Sequence, residues 1–181
     1  MAVQLAQEVV VKVWLLNMKQ IIIYIFICFS ISGFAQKSLS EVLDKYNKES
    51  IPYITAKDLF KKEKEIILLD AREASEFEVS HLKNAIFVGY DNFNLKKTIK
   101  KIDNKQQTII VYCSLGIRSE DIAEKLKKAG YTNIYNLYGG IFEWKNNNFP
   151  VYNSKEKETD SIHTFNQEWS KWLKKGIKTY D

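Results

Sequence analysis

Proline and glycine are scarce in this chain. Its 181 residues include two prolines and seven glycines, which excludes collagen-like repeats and proline- or glycine-rich disorder. The formal net charge is only +5, and lysines are interspersed with glutamates instead of forming blocks, so the composition does not indicate nucleic-acid binding. Hydrophobic residues make up 45% of a length that is typical of one globular domain, and the sequence contains no internal repeat.

Cysteine is equally scarce, with Cys28 and Cys113 as its two occurrences. Cys28 lies within the pattern of a secretory signal peptide, which has a basic start after Met18, an apolar run over residues 21–29 and small residues up to Ala35. We expect cleavage near Ala35 and export to the periplasm or the medium. Cys113 is then the one thiol of the mature protein, so any sulfur that it accepts must pass to an external acceptor.

The sequence also lacks a long hydrophobic run. The apolar residues 21–29 fall short of the roughly 20 residues that a membrane-spanning helix needs, so we expect no stable membrane span after cleavage. The alternative is an uncleaved membrane anchor. Residues 9–16 would lengthen that anchor if Met1, and not Met18, is the true start.

A cysteine at the junction of a strand and a helix is the feature with the clearest chemistry. Residues 108–112 are short, apolar and β-branched, which predicts a buried strand that ends at Cys113. A helical pattern follows Ser119, which we expect to be the N-cap. Gly116 lets the loop turn, and Arg118 adds a permanent positive charge. Amides and cations at such a helix start lower a cysteine pKa to roughly 3.5–7.5, so we expect a reactive thiolate.

A second continuous apolar run predicts a sheet that is covered on both faces. Residues 66–69 form this run, and with the strand before Cys113 it indicates an α/β fold with buried parallel strands. The remaining patterns predict a strand over 133–137 and helices over 39–46, after Thr55, over 73–77, after Asn94, and from Ser119 to a stop at Gly130.

Three ordered motifs resemble those of the rhodanese-like sulfurtransferases. They are the loop Cys113-x-x-Gly116-x-Arg118-Ser119, the upstream series Asp70-x-Arg72, Glu76 and His81, and the downstream Gly139-Gly140 with Trp144. The resemblance covers about Ile51 to Tyr152 and departs from the family pattern at Ser80 and Asn84, where glycine is usual.

The resemblance implies a three-layer α/β/α domain with a central, mostly parallel sheet. The chain then divides into an N-terminal extension and signal peptide (1–35), a lead-in segment (36–50), the rhodanese domain (51–152), and a linker with a C-terminal amphipathic helix (153–181). The implied catalytic residues are Cys113 and Arg118. The implied substrate-binding residues are Ser114, Leu115, Gly116, Ile117 and Ser119, and the implied structural supports are Asp70, Arg72, Glu76, His81, Gly139 and Gly140.

Two details of these supports follow from the residues themselves. Arg72 directly precedes the helix predicted over 73–77 and lies four residues before Glu76, which places the two on one helical face as a possible ion pair. His81 is expected to fix the turn before the strand 86–88, and the alternative is a catalytic base for Cys113.

The expected reaction is sulfur transfer through a Cys113 persulfide. A small anionic donor of the thiosulfate or persulfide type supplies the sulfur, and cyanide or a thiol accepts it, with no metal or organic cofactor and with a monomer as the expected state. One alternative is a phosphatase or arsenate reductase of the same fold, although the six positions from Cys113 to Arg118 suit sulfur better. Another is a non-catalytic binding module, which the presence of Cys113 disfavours.

The C-terminal region is predicted to be a linker followed by a helix. Residues 153–160 are polar and charged, and residues 162–177 carry an aromatic and aliphatic stripe at helical spacing: Phe165, Trp169, Trp172 and Leu173. We expect this stripe to pack on its own domain. The alternative is contact with a partner or a membrane surface, because lysines lie beside it.

Overall fold

The computed structural model describes residues 14–20, 38–62, 65–102 and 104–180. The chain forms two compact units, Met1–Lys37 and Ser38–Asp181. In the first unit, residues 14–20 are helical and exposed. The apolar run, Cys28 and the expected cleavage site at Ala35 lie outside the described residues. No helix in the described part of the chain has both the length and the apolar character needed to cross a membrane.

A parallel sheet of five strands is the centre of the second unit. The strands are β1 (Tyr53–Ile54), β2 (Ile66–Asp70), β3 (Ile86–Phe87), β4 (Thr108–Tyr112) and β5 (Ile134–Leu137). Their spatial order is β1-β5-β4-β2-β3, so the two longest, β2 and β4, are neighbours, with Leu69 opposite Val111. The predicted α/β class with a central parallel sheet is therefore confirmed.

Helices cover both faces of this sheet. They are α1 (Leu39–Tyr46), α2 (Ala56–Phe60), α3 (Ala74–Val79), α4 (Leu95–Ile99), α5 (Arg118–Lys128), α6 (Gly140–Asn146) and α7 (Gln167–Ser170). Alternate β4 side chains point to opposite faces, as strand geometry requires. Ile110 and Tyr112 belong to one hydrophobic cluster, whereas Ile109 and Val111 belong to the other. Because both faces are buried, β4 reads as a continuous apolar run.

The expected helix starts at Thr55 and Asn94 are confirmed, because each side chain accepts a hydrogen bond from the backbone three residues ahead. The expected stop of α5 at Gly130 needs a small change: Ala129 is the C-cap, and Gly130 follows it with a φ of +91°. Glycine adopts that left-handed conformation without a steric penalty, so its role in ending the helix holds.

The C-terminal region differs from its prediction. Its strands are β6 (Val151–Tyr152), β7 (Glu158–Thr159), β8 (Ser161–His163) and β9 (Ile177–Thr179). The expected linker over 153–160 instead provides the turn and the second strand of a hairpin of β6 with β7, and β8 pairs in parallel with β9. The expected helix over 162–177 is wrong apart from the four residues of α7, because Phe165 and Gly176 have φ angles of +65° and +98°, which no right-handed helix accommodates.

The stripe that suggested that helix still packs on its own domain. Trp172 and Leu173 are buried in the hydrophobic cluster that also contains Ile162. The expected packing therefore holds for Trp172 and Leu173 and in part for Trp169, whereas Phe165 is 50% exposed. The burial comes from a strand, a short helix and a turn and not from one long helix.

Candidate active site

Cys113 lies at the carboxyl end of β4, in the middle of the sheet, and is 2% exposed. The loop after it leads into α5, which begins at Arg118 with Ile117 as its N-cap. The expectation that Ser119 is the N-cap is wrong. Ser119 lies in the first turn of the helix and is buried, and its hydroxyl points into the site, where it donates to Asn136 Oδ1 at 2.7 Å.

The Cys113 sulfur receives hydrogen bonds from its own loop. The Gly116 amide donates to Sγ at 3.1 Å, and the Ser119 hydroxyl lies 3.5 Å from the same atom. Burial raises the pKa of the Cys113 thiol, but the positive charge of Arg118 and the donors of Ser119 and Gly116 outweigh it, so the net pKa is lowered. These contacts therefore shift the ionisation of Cys113 toward the thiolate, which is the nucleophilic form of cysteine.

Glu76 and Arg118 form a two-pronged ion pair beside the thiol. Arg118 Nη1 lies 2.7 Å from Glu76 Oε2, and Nη2 lies 2.8 Å from Oε1. Ser114 joins them, since its hydroxyl donates to Glu76 and accepts from Arg118. Burial raises the pKa of Glu76, but the hydrogen bonds and the charge of Arg118 have the larger effect and lower the net pKa to about 2. This pair fixes the guanidinium that stabilises the Cys113 thiolate.

The possible i,i+4 ion pair of Arg72 with Glu76 is not formed. Arg72 instead bonds Asp70, with Nη2 at 2.6 Å from Oδ2, and both side chains are buried. Arg72 Nη2 also donates to the Ser80 carbonyl oxygen. The Asp70–Arg72 pair thus ties the end of β2 to the end of α3. Glu76 instead bonds Ser114 and Arg118 beside Cys113.

His81 fixes a turn, and its contacts are with residues outside the loop that follows Cys113. Its amide donates to the Tyr152 carbonyl at 2.8 Å, and its Nδ1 lies 3.0 Å from the Leu82 carbonyl oxygen. Its ring stacks on Phe77 with 4.2 Å between centroids. These contacts agree with a structural role and give no support to a catalytic base for Cys113.

Gly139 and Gly140 start α6, whose first amides hold the cysteine loop from below. The Ile141 amide donates to the Cys113 carbonyl at 2.9 Å, and the Phe142 amide donates to the Ser114 carbonyl at 3.2 Å. The backbone of the loop is therefore held by the first turn of a helix, whose amides have no partner within the helix itself.

A cavity of about 220 Å³ opens above the thiol. Its lining consists of Cys113, Ser114, Leu115, Ile117, Arg118, Phe165 and Trp169. The Phe165 ring lies over the Arg118 guanidinium, with 5.4 Å from its centroid to Cζ. Ser114, Leu115 and Ile117, three of the five residues predicted to bind substrate, thus line this space with two aromatic residues from the C-terminal region. The other two, Gly116 and Ser119, are not part of the lining.

This loop, on this sheet, matches a known sequence pattern over much of the chain. The sequence model of the rhodanese-like domain fits residues 55–147, which is half of the chain. The chain belongs to the rhodanese-like domain family. Its fold is accordingly the rhodanese fold, as the motifs around Cys113 predicted.

Two relatives of the rhodanese-like domain have named activities. A thiosulfate sulfurtransferase GlpE of Coxiella burnetii (strain RSA 331 / Henzerling II) is 32% identical over 97 residues, which are 54% of this chain and 87% of that protein. A tRNA uridine(34) hydroxylase of Aster yellows witches'-broom phytoplasma (strain AYWB) is 31% identical over 112 residues, 59% of this chain. That match spans only 36% of the hydroxylase.

Solved structures share the fold of the rhodanese-like domain. The BH2092 protein of Bacillus halodurans has a TM-score of 0.51 at 26% identity, over 65% of this chain and 88% of that one. A thiosulfate sulfurtransferase of Pseudomonas aeruginosa has a TM-score of 0.54 at 18% identity, over 70% of this chain and 24% of that one.

Two asparagines of the rhodanese-like site were missed by sequence reasoning. Asn136, buried in β5, donates through Nδ2 to the Gly116 carbonyl at 2.7 Å, and Asn47 donates to the same oxygen at 2.8 Å. Asparagine is depleted in strands, so its presence in an apolar strand was a usable signal at Asn136. Asn47 follows α1 in a polar stretch and gave no such signal. Within the described ranges, no group of three or more His, Cys, Asp or Glu side chains is arranged to hold a metal ion.

Proposed function

We propose that this rhodanese-like protein is a sulfurtransferase that carries sulfur as a persulfide on Cys113. The observation that carries the proposal is the thiol itself, which sits at the end of the central strand with the Gly116 amide on its sulfur and its pKa lowered by Arg118. Such a thiolate is an activated nucleophile, as covalent catalysis requires.

In the first step the Cys113 thiolate attacks the outer sulfur of thiosulfate or of an organic persulfide. A new S–S bond forms to Cys113 while the S–S bond of the donor breaks. Sulfite, or the thiolate of the organic donor, leaves with the electron pair of that broken bond. The loop amides and Arg118 stabilise the negative charge on the persulfide sulfur.

In the second step a nucleophile takes the outer sulfur from the persulfide. Cyanide gives thiocyanate, and a thiolate gives a new persulfide, while the bond to Cys113 breaks and returns the thiolate. The protein cycles between two covalent forms, so ping-pong kinetics are expected. Each step balances in electrons with the donor and acceptor alone.

The similarity to the GlpE sulfurtransferase supports this choice, because that relative is matched over 87% of its length. The match to the tRNA uridine(34) hydroxylase covers only 36% of that protein and does not favour hydroxylation here. The six positions from Cys113 to Arg118 suit a sulfur donor better than a bulkier phosphate.

Intact mass spectrometry after mixing with thiosulfate tests the proposal. We expect the protein to gain one sulfur atom, to lose it on addition of cyanide with release of thiocyanate, and to show neither change in Cys113→Ser. Failure of the wild-type protein to gain sulfur from thiosulfate and from an organic persulfide contradicts sulfur transfer. Hydrolysis of an aryl phosphate that disappears in Cys113→Ser would instead support the phosphatase alternative.

We also propose that the protein acts outside the cytoplasm, because residues 18–35 follow the signal-peptide pattern. N-terminal sequencing of the protein from its natural host is expected to start at or near Gln36. A protein that keeps Met1 or Met18 would contradict export with cleavage.

A further inference from the structure

Two aromatic side chains close the cavity above Cys113, and neither lies in the part of the chain that matches the family. Phe165 and Trp169 line the cavity, whereas the family match ends at residue 147. We call these two side chains the aromatic lip. Because the lip comes from a segment outside the matched domain, it distinguishes this site from what the shared loop alone would build.

The lip is held in place by its backbone. The Phe165 amide donates to His163 Nδ1 at 3.1 Å, and the Trp169 amide donates to Asn166 Oδ1 at 2.9 Å, which caps α7. Strand β8 before the lip pairs with β9 after it, so both ends of the segment are fixed. Phe165 has a φ of +65°, a conformation that bulky residues rarely adopt. A strained residue persists only where its surroundings determine its position.

The one cation of the cavity lining is already engaged. Both terminal nitrogens of Arg118 bond Glu76, and Phe165 covers the guanidinium. The charge of Arg118 still acts on Cys113, but its terminal nitrogens already have partners, so it offers a small acceptor less than an unpaired guanidinium would. The side chains of Leu115 and Ile117, together with the lip, instead present an apolar wall around the sulfur.

The size of the cavity suits an acceptor with one ring. Its volume is about 220 Å³, and an apolar cavity of about 150 Å³ is enough to hold benzene. A thiol with an aromatic or compact aliphatic body would place its sulfur at Cys113 and its body between Phe165 and Trp169.

We propose that the aromatic lip selects the sulfur acceptor, in favour of thiols that carry their sulfur on an apolar body. The inference rests on the proposed sulfur transfer and specifies its acceptor. The thiolate of the acceptor attacks the outer sulfur of the Cys113 persulfide, the bond between that sulfur and Cys113 breaks, and the Cys113 thiolate leaves with the electron pair. The acceptor departs as an organic persulfide, so no further oxidant or reductant takes part.

The test compares two acceptors on the same persulfide protein. We would load the full chain with thiosulfate and measure kcat/KM for thiophenol and for cyanide, in the wild type, Phe165→Ala and Trp169→Ala. The ratio of thiophenol to cyanide is expected to fall about tenfold in each variant, because each loses most of an aromatic contact with the ring. The intrinsic reactivity of the two acceptors cancels when variants are compared by this ratio.

Two further variants make the result decisive. Phe60→Ala removes an aromatic ring of similar exposure that stacks on Phe149 and does not line the cavity, so its ratio should equal that of the wild type. Phe165→Asn removes the ring with a residue that tolerates positive φ, so it should lower the ratio even if Phe165→Ala folds poorly.

The outcomes separate the two claims. An unchanged ratio in Phe165→Asn and Trp169→Ala, with normal sulfur loading, overturns the aromatic lip as a selector and leaves the proposed function in place. Equal losses for both acceptors also overturn it. A wild-type protein that accepts no sulfur overturns the proposed function, and the acceptor assignment falls with it.

Discussion

Gly140 and Cys113 approach so closely that a Cβ atom on Gly140 would collide with the Cys113 carbonyl oxygen and lie 2.7 Å from the Ser114 carbonyl carbon. Both atoms are backbone, so neither can swing aside as a side chain could. Gly140 also has a φ of +53°, which disfavours any other residue. The start of α6 can support the cysteine loop only because this position has no side chain.

Gly140→Ala is therefore expected to displace the cysteine loop. We predict a loss of at least about 2 kcal/mol in the free energy of unfolding and a sulfur-loading rate at least about tenfold lower, since strain and a backbone clash act together. Urea unfolding and stopped-flow loading with thiosulfate measure the two effects. Gly89→Ala is the control, because Gly89 has a φ of +71° but its nearest contact would be a Phe87 ring atom at 3.5 Å. Equal losses in both variants would show that φ strain alone acts.

Glu76→Gln should change how stability depends on pH. The pKa of Glu76 is about 2 in the folded protein against an ordinary 4.5, so the unfolded state takes up the proton at higher pH. The carboxylate contributes about 3 kcal/mol above about pH 4.5, and this is lost as the pH falls toward about 2.

Urea unfolding of both proteins from pH 7 down to pH 3 checks this. The wild type should exceed Glu76→Gln in stability by several kcal/mol at pH 7, because the partly buried Arg118 also loses its partner, and the gap should narrow below about pH 4.5. Glu78→Gln, at an exposed position of the same helix, should differ from the wild type by less than about 0.5 kcal/mol. A gap that is constant with pH would contradict the assignment.

Arg118 should set the ionisation of Cys113. The rate of Cys113 alkylation by iodoacetamide in the wild type is expected to rise with a midpoint below pH 9.0, because Arg118 and the loop donors lower the thiol pKa. Arg118→Gln should move the midpoint upward, and Arg118→Lys should move it less because it keeps the charge but not the two-pronged bond to Glu76.

Mass spectrometry of the peptide that contains Cys113 follows the alkylation without interference from Cys28. A midpoint that is the same in Arg118→Gln and in the wild type would show that the loop amides alone hold the thiolate.

Asn136 is predicted to be a positioning residue. Asn136→Ala removes the donor to the Gly116 carbonyl and the acceptor of the Ser119 hydroxyl, so the amide that faces Cys113 loses its alignment. We expect sulfur loading to slow about tenfold or more and the free energy of unfolding to fall by about 1–3 kcal/mol. A shift of the thiol midpoint in the same alkylation assay separates this from simple destabilisation.

Asn133→Ala is the matched control for Asn136→Ala. Asn133 Nδ2 donates to Thr108 Oγ1 at 2.6 Å, at the opposite end of the same pair of strands. This variant should lose stability but keep the loading rate per folded molecule. Equal slowing in both variants would assign Asn136 a purely structural role.

The sheet and its cysteine were predictable because they depend on local patterns. The apolar runs that became β2 and β4 pack against hydrophobic clusters on both faces of the sheet, and such packing removes the alternation that a half-exposed strand shows. Cys113, Gly116 and Arg118 fall within six positions, so their proximity follows from the chain itself.

The ion pairs were not predictable because they depend on distant segments. Helical spacing made Arg72 a possible partner of Glu76, yet Glu76 bonds Arg118, 42 residues away. Arg72 bonds Asp70, which is the last residue of β2, and does not bond a residue of the helix that follows. Spacing along one helix gives possible partners, and the tertiary fold decides among them.

The C-terminal region shows the same limit. Phe165, Trp169, Trp172 and Leu173 have helical spacing in the sequence but do not form one helix. Positive φ angles at Phe165 and Gly176 interrupt any helix over this region. Nothing in the sequence places Phe165 above Arg118, since that contact depends on the pairing of β8 with β9.

The packing of Ile162, Trp172 and Leu173 into the same hydrophobic cluster as Ile110 has a practical meaning for anyone who shortens the chain. A version trimmed at residue 147, where the family match ends, would lose these three residues from its core and the two aromatic residues from the lining of the cavity beside Cys113. If the protein transfers sulfur as proposed, such a fragment would have a looser and less selective site than the full chain.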